Sequence, residues 1–183
     1  MIDWDLIAGF EGGDQLHGYV PDPSGSRSGV TIASGVDIGN MGRLGYLALP
    51  ADVQDLVISY LGLTGARAVA ALKAKPLTVT QAQANALDAV SHAYILGPLR
   101  ASYDSYTHKG AFDALPDRAQ TVITSLEFQY GGLMPTRCPK FWGMCVRQDW
   151  AGAVEVLKNF GDKYPTRRLA EAEYLSVLLP ASL

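Results

Sequence analysis

Residues 28–40 read SGVTIASGVDIGN and carry the most informative pattern in this chain of 183 residues. Apolar and polar residues alternate through GVTIASGVDIG, as they do in half-buried strands, and the glycines between them favour turns. A second alternating patch, HGYV at residues 17–20, lies upstream among further glycines and prolines. The pattern predicts a small β-region of short strands and turns over residues 14–42.

The chain on either side of this region carries helix signals. A first helix is expected in IDWDLIAGFEGG, where Asp3 is suited to cap its start. From about residue 44 onward the apolar spacing is helical, and Thr80 with Gln83 forms the capping box of a helix predicted over residues 80–96. The predicted fold class is α+β and mainly α-helical, in a single domain of residues 1–183 with a helical lobe at 44–183.

Composition excludes several classes of function. A net charge of −3 leaves no broad basic field for nucleic acid or an anionic membrane. Because no apolar run approaches the ~20 residues that span a bilayer, membrane insertion is not expected. The first ten residues contain no lysine or arginine and do not resemble a secretory signal. We therefore expect a monomer made in the cytoplasm, which reaches any other compartment by delivery or release.

The cysteines and histidines give no sign of a metal site. Cys138 and Cys145 are the two cysteines, and the favoured interpretation is two free thiols acting as small apolar groups. A disulfide between them in an oxidising compartment stays open. Of the histidines, His92 is expected to be partly buried in a helix and His108 to lie in a loop. No metal or cofactor is predicted.

Glu11 stands in an unusual position, in FEGG at the end of the first predicted helix. A helix C-terminus carries partial negative charge and repels a carboxylate. The same repulsion favours the protonated carboxyl, which is the form that a general acid needs. Glu11 is therefore either an accident of the surface or a proton donor.

A glycosidase needs a second carboxylate. In an inverting enzyme this group activates a water, so the two carboxyls stand roughly 6.5–9.5 Å apart. Asp22 and Asp37 are the candidates in the β-region, and Thr31 could help to hold the water. Spacing alone does not select between them, because two carboxylates and a hydroxyl occur this close together in many chains.

The pattern FEG…GYVPD…SGVTIASGVDIGN resembles the N-terminal active-site region of phage-type lysozymes. It is more similar still to the muramidase domain of the pesticin family, bacterial toxins homologous to phage lysozyme. In phage lysozymes a Glu, an Asp and a Thr occupy the positions of Glu11, Asp22 and Thr31. TIASG departs from their motif because Ala33 replaces its first glycine.

The pesticin-like branch instead has an Asp six positions after the Thr, and here that residue is Asp37. The resemblance therefore implies Glu11, Thr31 and Asp37 as catalytic residues, with Asp22 in reserve as the second carboxylate. Near the end of the chain, RAQTVITSLEFQYGG and TRRLAEAEYL resemble the central and closing helices of the family. The resemblance implies a lysozyme-like fold, with the substrate cleft between the β-region and the helical lobe.

This resemblance implies a muramidase that cleaves the β-1,4 bond between N-acetylmuramic acid and N-acetylglucosamine in peptidoglycan, with inversion expected. A lytic transglycosylase acting on the same bond and a non-catalytic module binding the wall or a partner remain alternatives. The expected setting is a toxin or effector, or a phage endolysin, acting in the periplasm on glycan strands. A toxin of this kind could be countered by an immunity protein.

Overall fold

A computed structural model describes residues 1–11, 15–21, 27–131 and 134–180. The helices and strands of this part of the chain are α1 (Trp4–Phe10), β1 (Gln15–Tyr19), β2 (Thr31–Ala33), β3 (Val36–Asp37), α2 (Arg43–Ala48), α3 (Ala51–Val57), α4 (Gly65–Ala74), α5 (Gln81–Tyr106), α6 (Asp117–Tyr130), α7 (Met134–Arg137), α8 (Pro139–Val146), α9 (Trp150–Lys158) and α10 (Pro165–Ser176). The structure is 64% helical with a small antiparallel sheet. This confirms the predicted fold class, which is mainly α-helical with some β and consistent with a lysozyme-like fold.

Two compact units make up the chain, one of Ala8–Tyr94 and the other of Met1–Ile7 with Ile95–Leu183. Each unit has a hydrophobic core of its own. The core of the first unit is built around Val30, Ile32, Ile38, Val57 and Leu87. The core of the second includes Leu99, Tyr103, Phe112, Ile123 and Phe141. The candidate catalytic residues Glu11, Thr31 and Asp37 all belong to the first unit.

The sheet of the first unit has the order β1-β2-β3, with antiparallel neighbours. All three residues of β2 are buried, and Ile32 is fully enclosed. The turn from β2 to β3 needs left-handed backbone, with φ of 54° at Ala33 and 94° at Gly35. Ala33 thus adopts a conformation that favours glycine, at a cost of about 1–2 kcal/mol. This is the position where TIASG departs from the lysozyme motif.

Local capping rules predict the starts of two helices correctly. The Asp3 carboxylate accepts a hydrogen bond from the Leu6 N–H at 3.0 Å, at the beginning of α1. Thr80 and Gln83 form the predicted capping box, with reciprocal bonds of 3.0 and 3.3 Å at the start of α5. These bonds satisfy N–H groups that the first turn of a helix leaves without partners.

α5 extends beyond the predicted end at residue 96. It continues through Pro98 to Tyr106, 26 residues in all. A proline inside a helix costs about 3 kcal/mol. The buried side chains of Leu96, Leu99 and Tyr103 recur at helical spacing on either side of it, and the Tyr103 hydroxyl donates to the Cys145 carbonyl at 3.1 Å. Packing of this face therefore outweighs the local cost of the proline.

Buried charges join α10 to α6 in the second unit. Arg168 and Glu171 are 1% and 0% exposed and form an ion pair on α10. Arg167 also bonds Glu171, and the Ser125 hydroxyl of α6 donates to the same carboxylate at 2.6 Å. Removing one member of such a network leaves an uncompensated charge, at a cost of about 3–5 kcal/mol. The network is therefore part of the structural core.

Cys138 and Cys145 are both buried and both free. Burial raises the pKa of the Cys138 thiol to about 11 and raises the pKa of Cys145 well above its usual value. Both thiols therefore stay protonated near neutral pH, which confirms the interpretation as small apolar groups. Within the described ranges, no helix combines the length and the apolar character needed to cross a membrane.

Candidate active site

Glu11 directly follows the last residue of α1. Its N–H donates to the Ala8 carbonyl at 3.0 Å, which continues the helical turn, and its side chain is partly buried. The negative charge of Glu11 also affects the ionisation of Tyr19 of β1. Burial is the larger cause of the raised pKa of Tyr19, and the Glu11 carboxylate raises that pKa further. Glu11 therefore lies near the Tyr19 end of the sheet.

The sheet register aligns Thr31 and Asp37. Thr31 is the direct partner of Asp37 across β2 and β3, and of Tyr19 across β1 and β2. Directly opposed residues of an antiparallel pair lie on one face with Cβ atoms about 4.5–5.5 Å apart. Tyr19, Thr31 and Asp37 thus form a row across the sheet, which we call the Thr31 row. Glu11 lies near one end of this row, and Asp37 forms the other end.

The Asp37 carboxylate is fixed by N–H donors from two segments. The Gly29 N–H lies 3.1 Å from each carboxylate oxygen. The Asn40 N–H donates to Oδ1 at 3.1 Å, and the Asn40 side-chain amide donates to Oδ2 at 2.7 Å. The same amide donates to the Arg27 carbonyl at 3.0 Å. These donors suit an ionised carboxylate, which only accepts hydrogen bonds.

Gly29 and Gly39 allow this arrangement because neither carries a side chain. A Cβ on Gly29 would lie 2.4 Å from the Gly39 Cα and 2.7 Å from the Asp37 Oδ1. A Cβ on Gly39 would lie 2.2 Å from the Leu63 carbonyl oxygen. All three distances are shorter than the 3.0 Å below which real Cβ atoms are essentially never found, so the backbones at Gly29 and Gly39 touch. The glycines of SGVTIASGVDIGN therefore shape the site as well as its turns.

Thr31 is 4% exposed and sits centrally in the row. Its hydroxyl donates to the Gly29 carbonyl at 3.4 Å, which is long for such a bond. Ser34 lies in the turn between β2 and β3. The Asp88 carboxylate of α5 accepts hydrogen bonds from the Ser34 N–H and from the Ser34 hydroxyl, both at 3.1 Å. Asp88 thus holds the turn that sets the β2–β3 register, on which the alignment of Thr31 with Asp37 depends.

Asp22 lies outside the described residues, so its role as reserve carboxylate stays a prediction. The roles predicted for Glu11, Thr31 and Asp37 are also predictions, to which the structure adds the contacts above. Sequence reasoning missed Asn40, although Asp and Asn are both residues that favour turns. It also missed Asp88. No local signal could have found Asp88, which lies 54 residues from its partner.

A cleft of about 210 Å³ adjoins this site within the first unit. Asp37, Asn40 and Met41 line it together with Val90 and Tyr94 of α5. A larger cavity of about 570 Å³ lies in the second unit, lined mostly by apolar groups. Its carboxylate, Glu155, is ion-paired to Lys158 at 2.9 Å. The smaller cleft is therefore the better candidate for chemistry.

Two aromatic residues near Cys145 belong to the core of the second unit. Phe141 is fully buried and Trp142 is 4% exposed. Trp142 packs edge-on against Tyr103, with ring centroids 5.9 Å apart. Both rings therefore pack in the core and do not form a platform for sugar stacking.

The described residues contain no cluster of three or more His, Cys, Asp or Glu side chains that could hold a metal ion. His92, on α5, is partly buried as expected. Burial lowers the pKa of His92 to about 4. The imidazole is therefore neutral in the folded protein through most of the acidic range.

This shift predicts a pH-dependent stability. Below about pH 6.5 the unfolded chain protonates His92 and the folded chain does not, until the pH reaches about 4. Stability therefore decreases as the pH falls through this window. Between pH 7 and pH 5 His92 should account for about 1 kcal/mol of the loss, because its imidazole is only partly buried and solvent screens part of the effect. Urea unfolding of wild type and His92→Gln at both pH values measures the difference, with His108→Gln on the surface as control. If the free energy of unfolding changed equally between pH 7 and pH 5 in wild type and in His92→Gln, the prediction would be contradicted.

The comparison with known families agrees with the resemblance. A family model, pesticin, described as the C-terminal part of a bacterial toxin homologue of phage lysozyme, matches residues 1–151. No curated protein matches the chain. The chain belongs to the pesticin family, whose relation to phage lysozyme supports a lysozyme-like muramidase at the family level. The matched residues include Glu11, the Thr31 row and Asp22, whereas α10 lies beyond them.

Proposed function

We propose that this protein is a peptidoglycan hydrolase that cleaves the β-1,4 bond between N-acetylmuramic acid and N-acetylglucosamine. The observation that carries the proposal is the pairing of Thr31 with Asp37 in the Thr31 row. Tyr19 forms the other end of this row, and the Glu11 carboxylate raises the pKa of Tyr19. This arrangement supports the proposal, because Glu11, Asp37 and Thr31 are the residues to which the resemblance gives the roles of proton donor, second carboxylate and water-holding hydroxyl.

Glu11 is the proposed general acid. As the bond between the anomeric carbon and the leaving O4 breaks, the Glu11 carboxyl transfers its proton to that oxygen. Glu11 directly follows the last turn of α1 and is partly buried.

Asp37 and Thr31 are proposed to supply the nucleophile. A water held between the Thr31 hydroxyl and the Asp37 carboxylate attacks the anomeric carbon and forms the new C–O bond, while Asp37 takes up its proton. The long bond to Gly29 leaves acceptor capacity on the Thr31 oxygen. The four contacts on Asp37 hold the carboxylate in place, so little reorganisation is needed during the reaction.

The proposal includes inversion at the anomeric carbon. Tyr19 and Asp37 are separated by two strand spacings, about 9–10 Å between their backbones. Inversion requires a separation of roughly 6.5–9.5 Å between the carboxyls of Glu11 and Asp37, rather than the ~5–5.5 Å of retaining enzymes. Such a gap leaves room for the attacking water.

Analysis of the products tests both parts of the proposal. We expect digestion of purified sacculi to give reducing muramic acid ends by mass spectrometry. Proton NMR at early times should show the α-anomer, because inversion at a β-linked carbon produces it. 1,6-Anhydro-muramic ends would instead indicate a lytic transglycosylase, which needs Glu11 alone. Intact sacculi would favour a non-catalytic module that binds the wall or a partner.

The biological setting is proposed from the family description, which names a bacterial toxin. We propose that the protein acts as a monomer on glycan strands in the periplasm, after delivery as a toxin or effector. A phage endolysin released through the membrane is the alternative setting. Expression with a periplasmic targeting signal should lyse cells, and rescue by the product of a neighbouring gene would identify an immunity protein.

A further inference from the structure

We propose that the larger cavity, in the second unit, binds a fatty acid, with the acyl chain among its apolar side chains and the carboxylate on Arg137 and Lys140. The lining residues come from α7, α8 and α9 and from the segments that join and follow them. They include neither Glu11 nor a member of the Thr31 row. The inference therefore goes beyond the proposed hydrolysis and does not rest on it.

The apolar part of the cavity suits a flexible hydrocarbon chain. Its volume of about 570 Å³ lies within the ~300–1,000 Å³ typical of sites for small organic ligands. Phe141 is fully buried, whereas Met144, Val156 and Phe160 pack on the core but stay partly exposed. Their apolar surface is left partly in water, and a ligand that covers it is stabilised by the hydrophobic effect. An acyl chain does this along its whole length, whereas a sugar or a peptide backbone would bring polar groups against the same walls.

The charged residues of the cavity favour one negative charge on the ligand. Arg137 and Lys140 line it, and Glu155 is the one carboxylate among the described lining residues. Glu155 pairs with Lys158 at 2.9 Å, whereas Lys140 forms no hydrogen bond or ion pair with any residue that the structure describes. Arg137 donates to the Tyr130 carbonyl at 3.2 Å and keeps further N–H donors for a ligand. The lining residues thus carry one net positive charge, which a carboxylate neutralises.

The exposure of these residues matches the two ends of a fatty acid. Arg137 and Lys140 are exposed, so the positive charge lies where the cavity meets water. Phe141, the next residue after Lys140, is buried, so the apolar surface lies deeper. A lysine can lay its methylene stem along an apolar wall and keep its ammonium in water. The carboxylate of the ligand therefore stays at the opening, while its chain extends inward.

Calorimetry with laurate tests the inference in the full chain. We expect laurate to bind at least about 10-fold more tightly than dodecyltrimethylammonium, which has an equally long chain and a positive head. Decanoate should bind about 10-fold more weakly than laurate, because fewer methylene groups leave water. Lys140→Gln should weaken laurate binding about 5-fold. Lys73→Gln, at an exposed lysine of α4 in the first unit, is the matched control and should have no effect.

Methyl NMR locates the ligand in the wild-type protein. Met144 lines this cavity, whereas Met41 lines the cleft beside Asp37. Laurate should shift the methyl signal of Met144 and leave the signal of Met41 unchanged. Val156→Phe should fill part of the cavity and weaken laurate binding at least about 10-fold. Val69→Phe, at an exposed valine of α4, makes the same change away from the cavity and should bind laurate normally.

Equal affinity for laurate and dodecyltrimethylammonium, or unchanged laurate affinity in Lys140→Gln, would overturn the inference. A Met144 signal that does not move at saturating laurate would also overturn it. That readout uses the wild-type protein, so it decides the matter even if Val156→Phe does not fold. Because every readout is of binding, the outcome is independent of whether the protein hydrolyses peptidoglycan.

Discussion

Glu11→Gln should lower the rate of peptidoglycan hydrolysis about 10²–10⁴-fold, the usual contribution of a general acid. The amide has nearly the shape of the carboxyl group but cannot transfer a proton to the leaving oxygen. Stability should change little, because Glu11 lies at the end of α1 and is only partly buried. The rate is measured as the release of reducing ends from purified sacculi, and stability as the thermal midpoint.

Glu173→Gln is the matched control for this substitution. Glu173 is an exposed glutamate on α10, and its replacement makes the same change in charge and shape. A second readout probes the geometry, because loss of the Glu11 charge should lower the pKa of Tyr19, which that charge helps to raise. If Glu11→Gln hydrolysed sacculi at the normal rate, Glu11 would not be the proton donor and a non-catalytic module would become the better interpretation.

Gly29→Ala should lower the free energy of unfolding by about 2–4 kcal/mol and remove most of the activity. The added methyl would lie 2.4 Å from the Gly39 Cα and 2.7 Å from the Asp37 Oδ1. Backbone cannot move aside as a flexible side chain can, so overpacking costs about 1–3 kcal/mol. Displacing Asp37 also weakens the hydrogen bond from the Gly29 N–H to a charged group, which contributes about 1.5–3 kcal/mol. Urea unfolding and the sacculus assay measure the two effects.

Gly97→Ala provides the opposite case with the same chemical change. Gly97 lies inside α5, and apart from its chain neighbours a Cβ there would meet nothing within 4 Å. Alanine is the better helix former, but its Cβ would crowd the ring of the following Pro98, so this variant should change stability by less than about 1 kcal/mol and keep its activity. A Gly29→Ala protein as stable and as active as wild type would show that the close approach of Gly29 to Gly39 does not hold Asp37.

The sequence predicted features that depend on neighbouring residues. The cap at Asp3, the box formed by Thr80 and Gln83, and the small β-region follow from local rules and appear in the structure. The resemblance to the pesticin family added the candidate residues, and the family match confirms that resemblance. Local rules therefore describe well where a helix or strand begins and whether a segment is helical or extended.

Features that depend on distant residues could not be predicted in this way. The passage of α5 through Pro98 depends on core contacts of Leu99 and Tyr103, which outweigh the local preference of the proline. The bond from Ser34 to Asp88 joins residues that share no sequence pattern. The pairing of Thr31 with Asp37 is a matter of register, and a slip of one residue would turn the side chains to the other face. Such features need the folded chain.

The hydrogen bonds around Asp37 have a consequence for how this site could evolve. Because Asp37 joins the backbone at Gly29 to the turn at Asn40, its replacement would loosen the sheet even in a protein with no enzymatic role. A descendant that had lost hydrolysis would still be selected to keep this aspartate. The presence of an aspartate at the position of Asp37 is therefore no evidence by itself that a relative hydrolyses peptidoglycan.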